Sequence, residues 1–265
     1  MEKVATKKIF GVEYDPEVYQ TTHFACDEPY ERPKLLVIDD LINHMQPWSG
    51  YVPKSTLPEA DEKRLPVSCY NIKSTARYRG AEAVGNKWMR KACEEALRSV
   101  QNKGGPFGSA LVQVDDDTER VIRYWISWNR VTDWVDPTAH GEITGIRQVC
   151  QELGVFNLGR IEKDDPNLKL KQKGKTSRIE LYSNAEPCSM CYTGARWARI
   201  NWIYFAATIF DAAAQGVRFS DEPIFNELSN NYADRVPLGV NCFQCEVDNS
   251  LDSFNHYKRT GAIKY

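Results

Sequence analysis

Two short segments hold the residue types that could carry out metal-assisted chemistry: Pro137-Thr138-Ala139-His140-Gly141-Glu142 and Glu186-Pro187-Cys188-Ser189-Met190-Cys191. The second sets two thiols three residues apart just after a proline, which suits a first helical turn because its missing N–H has no partner there anyway. Residues i and i+3 share a helical face, and the exposed N–H groups of a helix start favour thiolates. Zinc prefers sulfur and imidazole ligands in a tetrahedron, so His140 can supply a third ligand to Cys188 and Cys191 and leave one position for water. Glu142, two residues after that histidine, is then placed to take the water's proton and pass it to a substrate. A C-x-x-C alone also reads as a redox pair or as buried thiols, and an H-x-E alone carries little information. Together, each at a helix start, the two segments offer three zinc ligands, an open position for water and a carboxyl beside it.

Helices and strands must bring these segments together. Apolar residues from Val84 to Val100 recur at spacings of three and four and predict an amphipathic helix ended by Gly104-Gly105-Pro106. Ala110–Val114 and Val121–Trp128 flank a short acidic turn and predict a β-hairpin. A second helix is expected over about Thr138–Leu153, stopped by Gly154. Ile179–Ser183, Cys188–Ala198 and Ile203–Ala207 read as strand, helix, strand, a βαβ unit with a parallel pair. Nearer the end, Asn226–Asn230 closes a short helix, Val240–Val247 is a strand candidate and Ser250–Arg259 a last amphipathic helix.

The 265 residues are 42% hydrophobic and 26% charged, a balance that excludes wholesale disorder and small disulfide scaffolds. Net charge is −2 with a pI near 6.1, so no nucleic-acid or anionic-membrane partner is expected from overall charge. No apolar run approaches the roughly 18 residues of a membrane span, and no secretory leader pattern follows Met1, so a cytoplasmic location is expected. Seven of the 13 prolines fall in the first 80 residues, where periodic segments are scarce. Residues 1–79 therefore read as an irregular extension, rich enough in aromatics to pack on a body formed by 80–265. Within it, Leu35-Leu36-Val37-Ile38 reads as one buried strand.

Beyond the two central segments, Gly104-Gly105-Pro106-Phe107-Gly108, Asp136-Pro137, Ile146-Arg147, Trp197-Ala198-Arg199 and the closing Lys264-Tyr265 complete a wider pattern. In these segments the chain resembles the cytidine deaminase superfamily, and within it the bacterial guanine deaminases and their plant guanosine deaminase relatives, over about Gly80–Tyr265. The resemblance implies a three-layer α/β/α cytidine-deaminase-like fold with a mostly parallel five-stranded sheet, and a homodimer. It implies that His140, Cys188 and Cys191 bind Zn²⁺, that Glu142 shuttles protons, and that Asn129 holds the substrate's purine edge. It further implies that Phe107 lines the pocket, that Asp221 helps protonate the departing amino group, and that Tyr265 reaches a neighbouring active site in the dimer. Each of the last four has a structural alternative. Asn129 can cap a turn, Phe107 can be core, Asp221 can cap the following helix and Tyr265 can be a frayed terminus.

The implied reaction is hydrolysis of guanine to xanthine and ammonia. Guanosine or another aminated heterocycle is a close alternative, tRNA adenosine a further one, and a non-catalytic zinc module the reading without chemistry. The compact enzymes of the family have no counterpart to the N-terminal extension or to part of the loop Gly159–Thr176, so these segments bear on substrate identity. The run 160–178, with seven basic residues against three acidic, reads as a solvated loop. Cys242-Phe243-Gln244-Cys245 is a second C-x-x-C, but in a strand its thiols point to opposite faces, so no second metal site is expected. His23 and Cys26 have ligand-like spacing without partners.

Overall fold

In the computed structural model, residues 7–9, 12–14, 23–35, 83–213, 217–231 and 244–260 are described. The chain divides into two units, residues 1–45 with 55–220 and residues 46–54 with 221–265. The first begins with a small antiparallel pair, β1 (Lys7–Ile9) and β2 (Val12–Tyr14). β3 (Phe24–Pro29) and β4 (Lys34–Leu35) follow, and β4 pairs with β5 (Ala83–Val84). α1 (Lys87–Gln101) starts at Asn86, whose side chain accepts from the backbone N–H groups of Trp88 and Met89, a regular N-cap.

The hairpin is β6 (Gly108–Asp115) and β7 (Arg120–Trp128), joined by a turn in which Asp115 Oδ1 accepts from Asp117 N, Thr118 N and Thr118 Oγ1. α2 (Val131–Trp134) and α3 (Gly141–Leu153) come next, then β8 (Ile161–Glu162) and β9 (Thr176–Ala185). α4 (Ser189–Trp197), β10 (Trp202–Ala207) and α5 (Ile209–Ala213) end the regular structure of this unit. The second unit holds α6 (Glu222–Leu228) and α7 (Asp252–Thr260). No described helix is long and apolar enough to cross a membrane.

The sheet runs β10-β9-β6-β7-β3, with β8 beside β9. Alternation along β6 sends Ala110, Val112 and Val114 to one face, where they meet Trp88, Met89 and Ala92 of α1. Leu111 faces the other way, with Trp125, Ile179 and Leu181, against Ile146, Val149 and Leu153 of α3 and Ala195 of α4. Helices thus cover both faces, which is the expected three-layer α/β/α arrangement. At Gly108 a Cβ would lie 2.5 Å from Ala96 N and 2.6 Å from Ala92 O, so only glycine lets α1 approach the start of β6 this closely.

The sheet is mixed rather than mostly parallel. β10 and β9 run parallel, as the βαβ reading expects, whereas β6–β7, β6–β9, β7–β3 and β8–β9 are antiparallel. The cause lies in the connections: a short turn can only reverse direction, and parallel neighbours need a crossover, which α4 alone supplies between paired strands. The five-strand path is completed by β3, from the region read as irregular. Of the strand candidate Val240–Val247, 240–243 lie outside the described residues and 244–247 form no strand. In the expected Leu35–Ile38 strand, only Leu35 is described, at the end of β4.

Tyr30, just after β3, is buried where its hydroxyl hydrogen-bonds Glu180 and Tyr182. Glu180 is fully buried and also accepts from Arg32 and Arg178. On the opposite face, His23 Nδ1 meets Glu152 Oε2 at 3.0 Å, a carboxylate that also accepts from Trp125 Nε1.

Candidate active site

α3 and α4 start near each other, and the two motif segments sit at those starts. His140 is the N-cap of α3 and Cys188 the N-cap of α4, both in extended backbone, and Cys191 lies in the first turn of α4. The loop before α3 is closed by Arg130 N donating to Ala139 O at 2.8 Å, and by Asp136 Oδ1 accepting from Thr138 N and Thr138 Oγ1. This tight turn is why α3 begins at Gly141 rather than at Thr138. On the sheet side, Ser127 Oγ donates to Gly141 O at 2.7 Å, fixing the first turn of α3 against β7.

The ligand atoms of His140, Cys188 and Cys191 lie within 4.8 Å of one another. Both sulfurs stand 3.5 Å from His140 Nδ1. Zinc–sulfur bonds of about 2.3 Å and zinc–nitrogen bonds of about 2.0 Å at a tetrahedral angle place such atoms about 3.6 Å apart. The donor set and its spacing therefore fit zinc. Cys188 and Cys191 are 8% and 0% exposed, which removes water as a competing partner for the thiols. Hydrogen bonding from Cys191 pulls the Cys188 thiol down to about 4 against the opposing effect of burial, with His140 assisting. Cys191, which supplies that bond, is pushed up correspondingly.

Glu142 is buried beside this cluster and accepts a hydrogen bond from Ser183 Oγ at 3.0 Å. Burial raises its carboxyl above the usual carboxylate range, the charge at Cys188 adds to this, and the Ser183 bond acts in the opposite sense. Its position beside the three ligand atoms suits it to carry protons for a water or substrate there. Ser183 was not singled out in the sequence; a serine at a strand end carries no chemical signal until the β6–β9 register sets it against α3.

Asn129 is buried at the end of β7. Its N donates to Phe107 O at 2.9 Å, and its Oδ1 accepts from Val131 N at 3.1 Å, so it does cap the turn into α2. Its Nδ2 has no hydrogen-bond partner among the described residues. A Cβ at Gly105 would come within 3.2 Å of Asn129 Cγ, so that glycine leaves the amide its room. Phe107 is half-buried and packs edge-on against Phe219, ring centroids 5.0 Å apart; Phe219 was missed because a lone aromatic in a loop has no pattern. Asp221 occupies the N-cap position of α6 in the second unit without a side-chain capping bond, and Tyr265 lies outside the described residues. The structure therefore brings together His140, Glu142, Cys188 and Cys191.

Among the described residues no other group of three His, Cys, Asp or Glu side chains is assembled as metal ligands. His23 is engaged with Glu152, and Cys26 Sγ donates to Glu28 Oε1. Cys245 is exposed in irregular backbone, and Cys242 lies outside the described residues. In the basic run, Arg160 pairs with Glu162, and Arg178 with Asp116, Glu119 and Glu180.

Residues 83–207 match the model of the family described as the cytidine and deoxycytidylate deaminase zinc-binding region. The guanine deaminase of Bacillus subtilis (strain 168) is 31% identical over 167 residues, 63% of this chain and 86% of the relative. An X-ray structure of guanine deaminase from Bacillus subtilis superimposes with a TM-score of 0.52 at 29% identity, covering 68% of this chain and 96% of that one. A tRNA-specific adenosine deaminase of Agrobacterium fabrum (strain C58) is 30% identical over 148 residues, 55% of this chain and 82% of the relative. The chain belongs to the cytidine and deoxycytidylate deaminase family. It is a deaminase, a hydrolase of the aminohydrolase type.

Proposed function

We propose that this deaminase hydrolyses guanine, with water, to xanthine and ammonia, using Zn²⁺ held by His140, Cys188 and Cys191. The observation that carries the chemistry is a buried carboxyl, Glu142, held by Ser183 beside three soft ligand atoms of the right spacing. Zinc bound there supplies Lewis acidity, which makes water a usable nucleophile near neutral pH. Glu142 takes a proton from water and delivers it to a ring nitrogen of the purine, then takes the proton of the newly added hydroxyl, as that becomes the carbonyl, and gives it to the departing amino group, which leaves as ammonia. Burial of Glu142 keeps bulk water out of this transfer.

Asn129 supports a purine as substrate, because its Nδ2 can donate to a ring carbonyl while its Oδ1 holds the loop. Phe107, with Phe219 against it, supplies an apolar wall suited to a flat heterocycle. In this reading Asp221 assists protonation of the leaving amine, and the protein works as a cytoplasmic homodimer in which Tyr265 of one copy closes the site of the other. Residues 80–265 form the deaminase domain and 1–79 its N-terminal extension. The net charge of −2 and pI near 6.1 count against a tRNA substrate.

The test is ammonia release at equal concentrations of guanine, guanosine, adenine, adenosine, cytosine, cytidine and a tRNA anticodon stem-loop. Release from guanine above all others is expected. Release confined to guanosine or to the stem-loop would move the substrate assignment while leaving the proton shuttle in place.

A further inference from the structure

Away from the catalytic residues, β3, the β6–β7 turn, the start of β7 and residues 171–174 line an open-sided cavity of about 660 Å³. It lies at the Asp115 end of β6, whereas the candidate active site adjoins the Gly108 end; seven strand steps separate the two by about 24 Å. Its volume falls within the roughly 300–1,000 Å³ of small-molecule sites. Cys26 and Asp27, on its β3 wall, are outside the residues matched by the family model.

Charge in this cavity is unevenly committed. Its three carboxylates are all engaged: Asp115 by the turn N–H groups, Asp117 by Lys175 N at 3.0 Å, and Asp27 by Arg120 Nε at 2.7 Å. Arg123 is 8% exposed and makes three hydrogen bonds, to Gln113 Oε1, Leu170 O and Lys171 O, all uncharged acceptors. A guanidinium has five N–H groups, so two remain to donate. The opposing charge that acts on it, Glu152, is occupied by His23, Trp125 and Gln148. Burial accordingly pulls the Arg123 guanidinium down from its ordinary value.

The rim is built rather than loose. Lys171 and Lys173 are exposed and flank Gln172, whose buried side chain donates to Ile161 O and accepts from Gln113 Nε2 and Ser177 Oγ. Next to them, a Cβ at Gly174 would fall 2.0 Å from Asp115 Oδ2, so the loop passes directly over the turn. Neither lysine makes an ion pair among the described residues, although Lys173 is close enough to act on Asp27.

We propose that this cavity is a second ligand site, which takes a small organic anion through a carboxylate or phosphate group seated on Arg123, with Lys171 and Lys173 at its rim. A guanidinium held in a fixed orientation with N–H groups to spare is suited to such groups, and an anion there would compensate its buried charge. The assignment does not depend on which base the catalytic site deaminates.

The test uses the full chain loaded with zinc, titrated calorimetrically and followed by thermal unfolding with succinate, inorganic phosphate and guanosine 5′-monophosphate as probes. Sodium chloride at matched ionic strength is the control. At least one probe should raise Tm by about 3 °C or more at saturating concentration beyond the salt control. Succinate against phosphate tells carboxylate from phosphate recognition. The Lys171→Ala/Lys173→Ala double variant should weaken that binding by about tenfold or more, with ammonia release from guanine unchanged. Arg123→Lys, which keeps the charge and loses the fork, should abolish it; should that variant misfold, the lysine pair decides. No shift beyond salt with any probe, or equal affinity in the double variant, overturns the proposal.

Discussion

Replacing Glu142 by glutamine preserves the size of the side chain and its ability to accept from Ser183 Oγ, but removes the proton. A positioned general acid–base is worth about 10²–10⁴ in rate, and Glu142 is asked to serve several transfers in one turnover, so the upper end applies. A loss of about 10⁴ corresponds to about 5 kcal/mol of transition-state stabilisation. Stability should move little or upward. Without metal, burial raises the Glu142 carboxyl and so disfavours its ionised form in the fold, and a neutral amide carries no such penalty. The assay is steady-state ammonia release with zinc content by mass spectrometry and Tm on the same preparations. The variant should be zinc-loaded, folded, and inactive at the level of about 10⁻⁴ of wild-type kcat. Turnover within tenfold of wild type in a zinc-loaded Glu142→Gln would refute the proton-shuttle role. Ser183→Ala, which leaves the carboxyl in place but unheld, should cost about tenfold in kcat with zinc retained.

Cys188→Ala removes a sulfur 3.5 Å from His140 Nδ1 and should lose both metal and activity; a fully metallated, active variant would dismiss the ligand set. Tyr30→Phe leaves the fully buried Glu180 and its neighbour Tyr182 each one partner short, at a cost of about 1–3 kcal/mol, read from urea unfolding. A change under about 0.5 kcal/mol would mean that Tyr30 does not anchor its segment. Asp136 is held below the usual carboxylate range by the Thr138 hydroxyl first, then by Thr138 N and Arg147. Its folded pKa is depressed, so its contribution is present above about pH 4 and lost as pH falls through the lower folded value. With the group a third exposed, that contribution is about 0.5 kcal/mol; Asp136→Asn should cost this at pH 7 and nothing at pH 2, and an equal cost at both would point to shape rather than charge.

Much of the site was legible because its signal is local. His140 and Glu142, and Cys188 and Cys191, are separated by two and three residues, and a helix start converts that spacing into geometry whatever the rest of the fold does. The α1, hairpin and β9-α4-β10 readings rest on the same kind of short-range periodicity. Strand direction was not legible. It depends on how the residue 154–175 connection returns to β6, and nothing in that loop's composition specifies the side on which β9 joins. β3 was missed because Phe-Ala-Cys-Asp-Glu-Pro has a proline and adjacent acids. An edge strand tolerates both, since one side of its backbone needs no partner. Ser183 and Phe219 became visible only through long-range register and packing. At Asn129 the two sequence readings coexist: its carbonyl oxygen caps a turn while its Nδ2 stays available.

The most direct test of zinc-dependent guanine deamination is xanthine formation from guanine by the full-length protein as purified, after stripping with a chelator, and after return of one equivalent of Zn²⁺. Loss of turnover on stripping, and recovery in proportion to zinc bound up to one ion per chain, is the predicted result. Turnover that survives stripping would contradict the metal assignment, and a fully zinc-loaded protein that forms no xanthine would contradict the substrate.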